Sequence, residues 1–192
     1  MRFATYLGIA GALAISFSAM AKNVQPSTDA GQLVAANANL QTNIDAKNAK
    51  AGDVVTARLT QSVRIPGGEE LHRNTLLIGH IDQVEPAENK GVSTIVLTFD
   101  KAQPKNGQPI AIKTTIVGVY PNGTVVLPPD LNPQLQVTQD PSSAHGYTLT
   151  SDVRGSNSGV LKADGKNVHL QDGTELEFAV ANTAGDSTAG GN

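Results

Sequence analysis

Strict alternation of apolar and polar residues is the feature that most constrains the fold of this 192-residue chain. The segment DVVTARLTQSVRI, residues 53 to 65, places these apolar side chains on one face: Val55, Ala57, Leu59, Val63 and Ile65. The opposite face carries Thr56, Arg58, Thr60, Ser62 and Arg64. Because side chains alternate between the two faces of a β-strand, this pattern predicts a strand that packs on one side only.

The same period of two returns in three later segments, residues 75–84, 92–102 and 110–120. Turn-forming residues separate them, and the Asn106-Gly107 pair is the strongest short hairpin signal in the chain. Four strands in close succession with short turns predict an antiparallel meander. A later alternating run with Leu176, Phe178 and Val180 predicts a strand that returns to the sheet and closes it.

The alternation also predicts which side chains share a face. In residues 92–102, one face holds Ile95, Leu97 and Phe99, and the other holds Thr94, Val96 and Thr98. In residues 110–120, the two sets are Ile110, Ile112, Ile116 and Tyr120 against Lys113, Thr115, Val117 and Val119. In residues 75–84, one face holds Leu77, Gly79, Ile81 and Gln83. A glycine at that position predicts a β-bulge or the close approach of another backbone.

Residues 1–21 have the pattern of a secretory signal. Arg2 supplies one cation, an apolar run follows, and small residues end at Ala21, where cleavage is expected. The apolar run is shorter than the about 20 residues that a membrane-spanning helix needs, so export is predicted, to the periplasm or outside the cell. No cysteine follows the small residues, which excludes lipid attachment at a cysteine.

The rest of the chain is predicted to form one domain with flexible ends. Residues 22–39 predict a flexible lead-in or a short helix, with Ala30–Gln41 as the helical candidate and an extended arm as the alternative. The domain is expected to span residues 40–182. Within it, residues 121–159 hold five of the ten prolines and predict a long irregular loop. Residues 183–192 predict a disordered tail.

These strands predict an all-β fold, a small closed or partly open antiparallel β-barrel of five or six strands. A flat sheet would leave its inner face uncovered, whereas closure buries that face and removes the sheet edges. The chain has no cysteine, so burial alone must hold the fold together.

Composition excludes several classes of partner. Without Arg2, 13 Lys and Arg residues face 17 Asp and Glu residues, a net charge of about −4, so no nucleic-acid partner is expected. Three Tyr, four Phe and no Trp are a poor basis for stacking sugars or single-stranded nucleic acid. No later run reaches membrane-spanning length, so no membrane span is expected after cleavage.

His80 and Asp82 form the most suggestive pair in the sequence. They lie two residues apart in a predicted strand, so their side chains point the same way. A zinc site would need further ligands, and the residues of the adjoining loop that could approach are Glu69, Glu70 and His72. Because no HExxH or comparable spacing is present, the pair is predicted to belong to a solvated strand face. No catalytic residue, metal or cofactor is predicted.

Other candidate residues lack partners at a suitable spacing. His145 and His169 are isolated in turn-rich surroundings and are predicted to be surface residues. The segment Gly155-Ser156-Asn157-Ser158-Gly159 imitates a nucleophile elbow but has the wrong spacing. The sequence does not place four acids relative to one another, namely Asp82, Glu85, Asp100 and Asp172. Phosphate-binding, dinucleotide and calcium-loop motifs are absent.

The order AGDVVTARLTQSV, GGEELHRNTLLIGHIDQV and STIVLTFDKAQPKNGQPIAI, within residues 50–120, resembles the β-barrel domain of TrbI-like proteins, which form channel rings of conjugation and type IV secretion machines. The matching residues are Leu71, Arg73, Leu77, Ile78, Gly79, Phe99, Asp100, Gly107 and Ile110. The chain is also similar to small exported proteins of Gram-negative soil bacteria that carry only this module. The resemblance implies a barrel, and the sequence has no counterpart of the channel proteins' helical membrane segments.

Two functions follow as hypotheses. The first is an exported, non-enzymatic β-barrel module with a binding or assembly role in the cell envelope, through exposed strand edges or the segment 121–159, with envelope proteins or a second copy as partners. The second is a small hydrolase or lyase with a site near His80 and Asp82 under that segment. The first is favoured because no catalytic constellation can be assembled from the sequence.

Overall fold

The computed structural model describes residues 32–65, 68–121, 123, 131, 135–140 and 146–182. Within these ranges the chain forms β-strands and no helix. The strands are β1 Val34–Leu40, β2 Ile44–Asp45, β3 Val54–Leu59, β4 Val63–Arg64, β5 Glu70–Leu71, β6 Leu76–Glu85, β7 Val92–Gln103, β8 Ile110–Tyr120, β9 Gln136–Gln139, β10 Thr148–Asp152, β11 Gly159–Asp164, β12 His169–Leu170 and β13 Glu175–Asn182. In the described part of the chain, no helix is both long and apolar enough to span a membrane.

Six long strands close into an antiparallel barrel, as the alternation predicts. Strands β1, β3, β6, β7 and β8 pair in that order, each antiparallel to the next. Strand β13 then pairs with β8 on one side and with β1 on the other, which completes the ring. The predicted meander of β3, β6, β7 and β8 and the predicted closure by the late strand are both confirmed. Two short ribbons, β2 with β12 and β4 with β5, lie beside the main sheet.

The barrel interior is filled by the side chains that the alternation assigns to one face, except toward the ends of β6 and β8. In β6 beyond Ile81, Asp82 is an extra residue in the pairing with β7, so Gln83 is exposed, against the prediction, and Val84 packs against the core. In β3, Val55, Ala57 and Leu59 are buried, while Thr56 and Arg58 are only partly covered. In β7 the buried residues are again the predicted ones, Ile95, Leu97 and Phe99. The Phe99 and Phe178 rings meet edge to face, with centroids 5.2 Å apart. Aliphatic side chains supply the rest of the core, which suits a chain with few aromatic residues.

Gly79 in β6 is a point of close backbone approach, as predicted. The pairing of β6 with β7 shifts register between Ile78 and Gly79, which marks a bulge. A Cβ atom at Gly79 would overlap the carbonyl oxygen of Thr98 and come within 2.8 Å of Phe99 Cα. Only glycine therefore allows β6 and β7 to pair this closely at the bulge.

The predicted phase of β8 is wrong beyond Ile116. Gly118 pairs with Glu177 and Ile116 pairs with Phe178, so Val117 is an extra residue in β8. A bulge of one residue moves every later side chain to the other face. Val119 therefore points into the core, where it is 1% exposed, and the position predicted for Tyr120 is incorrect.

The structured domain begins before residue 40, which corrects the prediction for residues 22–39. Strand β1 runs from Val34 to Leu40 and pairs with β13 and β3. Of the two alternatives given for Ala30–Gln41, the extended one is right for residues 34–40 and the helical one is wrong, because pairing on both sides satisfies the backbone of an extended segment. The predictions for residues 1–31 and 183–192, including the signal and the tail, lie outside the described residues.

The segment predicted as a long irregular loop, residues 121–159, carries two strands. Strands β9 and β10 pair with each other, and β10 pairs with β11, which pairs with β7. These three strands form an extension of the barrel wall that leaves the ring at β7. They are called the extension below.

Candidate functional site

The extension begins where β7 and β8 separate. Lys101 and Ala102 of β7 pair with β8, next to the hairpin that joins the two strands. From Leu97 back to Val92, β7 pairs instead with β11. The two barrel strands thus diverge around Phe99, and the extension occupies the space that opens between them.

A closed ring of hydrogen bonds fills this branch point. The Phe99 N–H donates to Ser158 Oγ at 2.8 Å, and Thr114 Oγ1 donates to the Phe99 carbonyl oxygen at 2.8 Å. The two hydroxyl oxygens of Ser158 and Thr114 are also 2.8 Å apart. Because the Thr114 proton points at Phe99, the Ser158 hydroxyl must donate to Thr114. All three residues are buried, so the ring replaces the ladder bonds that β7 and β8 lose where they part.

Replacing Ser158 with alanine should destabilise the fold by about 1–3 kcal/mol, because a buried N–H and a buried hydroxyl would lose their partner. The neighbouring Ser156 is exposed and is the matched control, so Ser156→Ala should leave the free energy of unfolding unchanged within about 0.5 kcal/mol. Urea unfolding of both variants measures the difference. Equal midpoints would contradict a structural role for the ring.

Side chains from the extension also satisfy the edge of β8 beyond the branch point. Ser151 Oγ in β10 donates to the Ile116 carbonyl oxygen at 2.6 Å. The Val119 N–H donates to Gln139 Oε1 at 3.0 Å, and the Ile116 N–H donates to the Ser158 carbonyl oxygen at 2.7 Å. The extension is therefore bonded to both β7 and β8.

Strand β9 is the free edge of the main sheet in the described part of the chain. The Val153 N–H donates to the Leu135 carbonyl oxygen, and the β9–β10 register continues from this pair without a shift. Hydrogen-bonded pairs alternate in an antiparallel ladder, so Val137 and Gln139 also bond to β10. The N–H and C=O groups of Gln136 and Thr138 consequently point away from β10.

The side chains of β9 suit an exposed edge. Gln136 and Thr138 are exposed, and Gln136 Nε2 donates to Asp152 Oδ2 at 2.9 Å. Val137 is half-buried against the barrel core, so its side chain packs the inner face of β9 onto the barrel. The strand carries no charge and no proline, which are two of the devices that keep edge strands from pairing with other chains.

His80 and Asp82 lie on the solvated outer wall of the barrel, where the sequence places them. His80 Nε2 is 2.9 Å from Asp82 Oδ1, and Thr98 Oγ1 donates to Asp82 Oδ2 at 2.6 Å. Their side chains are 42% and 32% exposed. A small cleft of about 240 Å³ beside Thr98 includes Asp100 and residues 155–158. His80 is not among its described lining residues.

The other candidate residues are spread over the surface. His72 and Glu70 lie 3.6 Å apart on the β4–β5 ribbon, where Glu70 also pairs with Arg64 at 2.7 Å. His169 lies 3.8 Å from Asp45 in a cleft at one end of the barrel. His145 is outside the described residues. Among the described residues, no three His, Asp or Glu side chains are grouped to hold a metal ion.

The cleft at the barrel end has a volume of about 860 Å³ and is lined by the β2–β12 ribbon, by nearby turn residues and by strand residues of β3 and β6. Asp45 accepts hydrogen bonds from the Lys47 N–H and from Asn48 Nδ2, at 2.9 and 3.1 Å. Asp53 Oδ2 accepts the Lys50 N–H at 2.8 Å. These carboxylates cap the turns that carry them, which is a structural use of their oxygen atoms.

Glu177 in β13 is the most perturbed acid among the described residues, and the sequence did not single it out. It is 2% exposed on the outer wall, opposite Gly118 of β8. Its Oε1 atom has no hydrogen-bond partner within the described chain. Burial, and then repulsion from Glu175, raise the pKa of Glu177 to about 7, against the opposing effect of a hydrogen bond from Tyr120. The ring of Tyr120 lies over Gly118, which brings its hydroxyl to this acid.

Sequence comparison adds nothing to this geometry: no protein-family model matches the chain, and no curated protein sequence matches it.

Proposed function

We propose that this chain is an exported, non-enzymatic β-barrel module with a binding or assembly role in the cell envelope, and that the edge of β9 makes the contact. The observation that carries the proposal is the outer edge of β9, which pairs with no strand among the described residues, on an extension that is hydrogen-bonded to the barrel. The ring of six strands is closed, and where β7 and β8 part, the extension covers their edges. An extended segment of a partner would add a strand to β9 through main-chain hydrogen bonds.

The scatter of polar groups supports binding rather than catalysis. An enzyme gathers an acid, a base and a nucleophile around one pocket. Here the His80–Asp82 pair lies on the outer wall and the His169–Asp45 pair lies at one end of the barrel, while Glu177 is buried. Tyr120, which is hydrogen-bonded to Glu177, and His169 line one cleft of about 400 Å³, but no serine or cysteine nucleophile is brought to them among its described lining residues. The alternative is a small hydrolase or lyase with a site near His80 and Asp82. In that case the cleft beside Thr98 would have to extend to His80 when substrate binds.

The resemblance of residues 50–120 to the TrbI-like barrel supports the same role. Leu71, Leu77 and Phe99 carry that resemblance, and they are core residues of the barrel. In such machines the barrel is a building block of a larger envelope assembly. Export to the periplasm or beyond, as expected from residues 1–21, would bring the chain to the compartment where such an assembly forms.

Replacing Thr138 with proline should abolish binding of an envelope partner. The change removes the outward N–H of Thr138, while the β9–β10 ladder loses no hydrogen bond. Thr138→Val is the matched control, since it keeps the N–H and the β-branched shape. A tagged chain incubated with envelope extract measures the retained partner, and we expect a loss of at least about tenfold for Thr138→Pro only. Retention by Thr138→Pro equal to the wild type would contradict a main-chain contact.

A further inference from the structure

We propose that the β9 edge also pairs with β9 of a second copy of this chain, antiparallel and about a two-fold axis at Val137. The inference rests on the proposed function, because it names one partner for the same edge. It requires only groups that the described chain already presents to solvent.

Backbone geometry selects the register. Gln136 and Thr138 are the two β9 residues with outward N–H and C=O groups. In an antiparallel pair with a second copy, these outward residues must face each other to exchange hydrogen bonds. An axis at Val137 places Gln136 opposite Thr138 of the partner and Thr138 opposite its Gln136. All outward groups of both strands are then used, in four hydrogen bonds.

Other two-fold registers use the edge less well. An axis at Thr138 would place Gln136 opposite residue 140 of the other copy, beyond the end of β9. An axis at Gln136 would place Thr138 opposite residue 134 of the other copy, also outside β9. The Val137 register alone keeps the pairing within the two β9 strands.

Side-chain chemistry favours a second copy over a charged partner. The strand is neutral, so two copies meet without the repulsion that like charges cause across a strand pair. Gln136 would lie beside Thr138 on the outer face, where an amide can bond to a hydroxyl. Val137 of one copy would lie opposite Val137 of the other, and β-branched side chains pack well when they face each other across a strand pair. Asp140 lies outside the paired residues.

The contact is short, and the pairing should therefore be reversible and dependent on concentration. Four residues a side provide much less area than the about 1,200 Å² of a stable protein interface. Such a pairing suits an assembly in which many weak contacts act together.

A single-cysteine variant tests the register, because the chain has no cysteine of its own. In the proposed dimer, Val137 and its partner form a non-hydrogen-bonded pair with Cα atoms about 4.5 Å apart. That distance falls within the about 4.4–6.8 Å span of disulfides. Purified Val137→Cys should form a disulfide dimer under mild oxidation, seen on a non-reducing gel. Thr150→Cys, exposed on the neighbouring β10, is the control and should stay monomeric.

Two further samples keep the test independent of any folding defect at position 137. Adding Thr138→Pro to Val137→Cys should reduce the dimer at least tenfold, and circular dichroism checks that each variant is folded. Sedimentation velocity of the unmodified chain should show association that rises with concentration and is lost in Thr138→Pro. A monomer at every concentration, or equal disulfide yields at positions 137 and 150, would overturn the inference. The proposed function would survive a failure of this inference if the wild type still retained an envelope partner and Thr138→Pro did not.

Discussion

Replacing Leu97 with aspartate is expected to unfold the barrel. Leu97 is 0% exposed and lies at the middle of β7, the strand that pairs with β6, β8 and β11. A carboxylate at this position would be buried without a partner, which is among the most destabilising single changes. We expect a loss of more than about 4 kcal/mol of unfolding free energy, a large share of the about 5–15 kcal/mol that holds a typical domain.

Val96→Asp is the matched control for this experiment. Val96 is adjacent to Leu97 but points outward, opposite Gln83 of β6 and Val160 of β11. Thr98 is less suitable, because its hydroxyl donates to Asp82 and a second carboxylate there would meet a like charge. Circular dichroism and urea unfolding measure both variants. If Leu97→Asp folded as stably as Val96→Asp, the assignment of faces in β7 would be wrong.

The pH dependence of stability should be dominated by Glu177. Its pKa is about 7 in the folded chain, against an ordinary value of 4.5. The folded state therefore binds more protons than the unfolded state between these values, so stability falls as pH rises from about 4.5 to about 7. A shift of this size corresponds to about 3 kcal/mol at most, all of it lost above pH 7.

Glutamine at position 177 should remove this dependence. Glu177→Gln keeps the shape without a charge, so the variant should be more stable than the wild type at pH 8, by up to about 3 kcal/mol, and similar to it at pH 4. The groups that act on this acid are Glu175 on the same strand and Tyr120 of β8. Glu175→Gln should lower the pKa of Glu177, and Tyr120→Phe should raise it.

Glu69→Gln, at an exposed acid outside the strands, is the control for the pH series. It should leave the stability curve of the wild type in place. Urea unfolding at four pH values between 4 and 8 measures each variant. A wild-type curve that is flat, or that rises across this range, would show that Glu177 is ionised throughout and that its burial is compensated.

Alternation in the sequence predicted the barrel because its strands bury one face each. Leu97, Phe99 and Val55 stand in unbroken runs of period two, and each is buried as predicted. The close backbone approach at Gly79 was also predicted, since a glycine on the buried face of a strand usually marks a bulge or a closely approaching backbone. The return of β13 followed from the alternation of Leu176, Phe178 and Val180, all of them buried.

Features that depend on partners far along the chain could not be predicted in this way. The alternation in β1 is carried by small residues, Ala36 and Ala38, whose apolar character is weak, and its pairing with β13 is known only from the fold. The bulge at Val117 leaves no mark in a run of β-branched residues. The burial of Glu177 was also not predicted, because it depends on the strands beside β13, which are distant in the sequence.

The candidate site was foreseen only as a region. The sequence pointed to strand edges and to the segment 121–159, and β9 combines the two. Its four residues, Gln-Val-Thr-Gln, are too few and too polar to stand out as a strand. Which of their backbone groups face outward depends on the β9–β10 register, which no local pattern encodes.

Photo-crosslinking in intact cells tests the central claim most directly. A photoreactive amino acid placed at Thr138 lies on the outward edge of β9, and one placed at Gln83 is exposed on the barrel wall as the control. We predict a light-dependent adduct at position 138, either with a second copy or with another envelope protein, and none at position 83. No adduct at position 138, or equal adducts at both positions, would contradict a contact through the β9 edge.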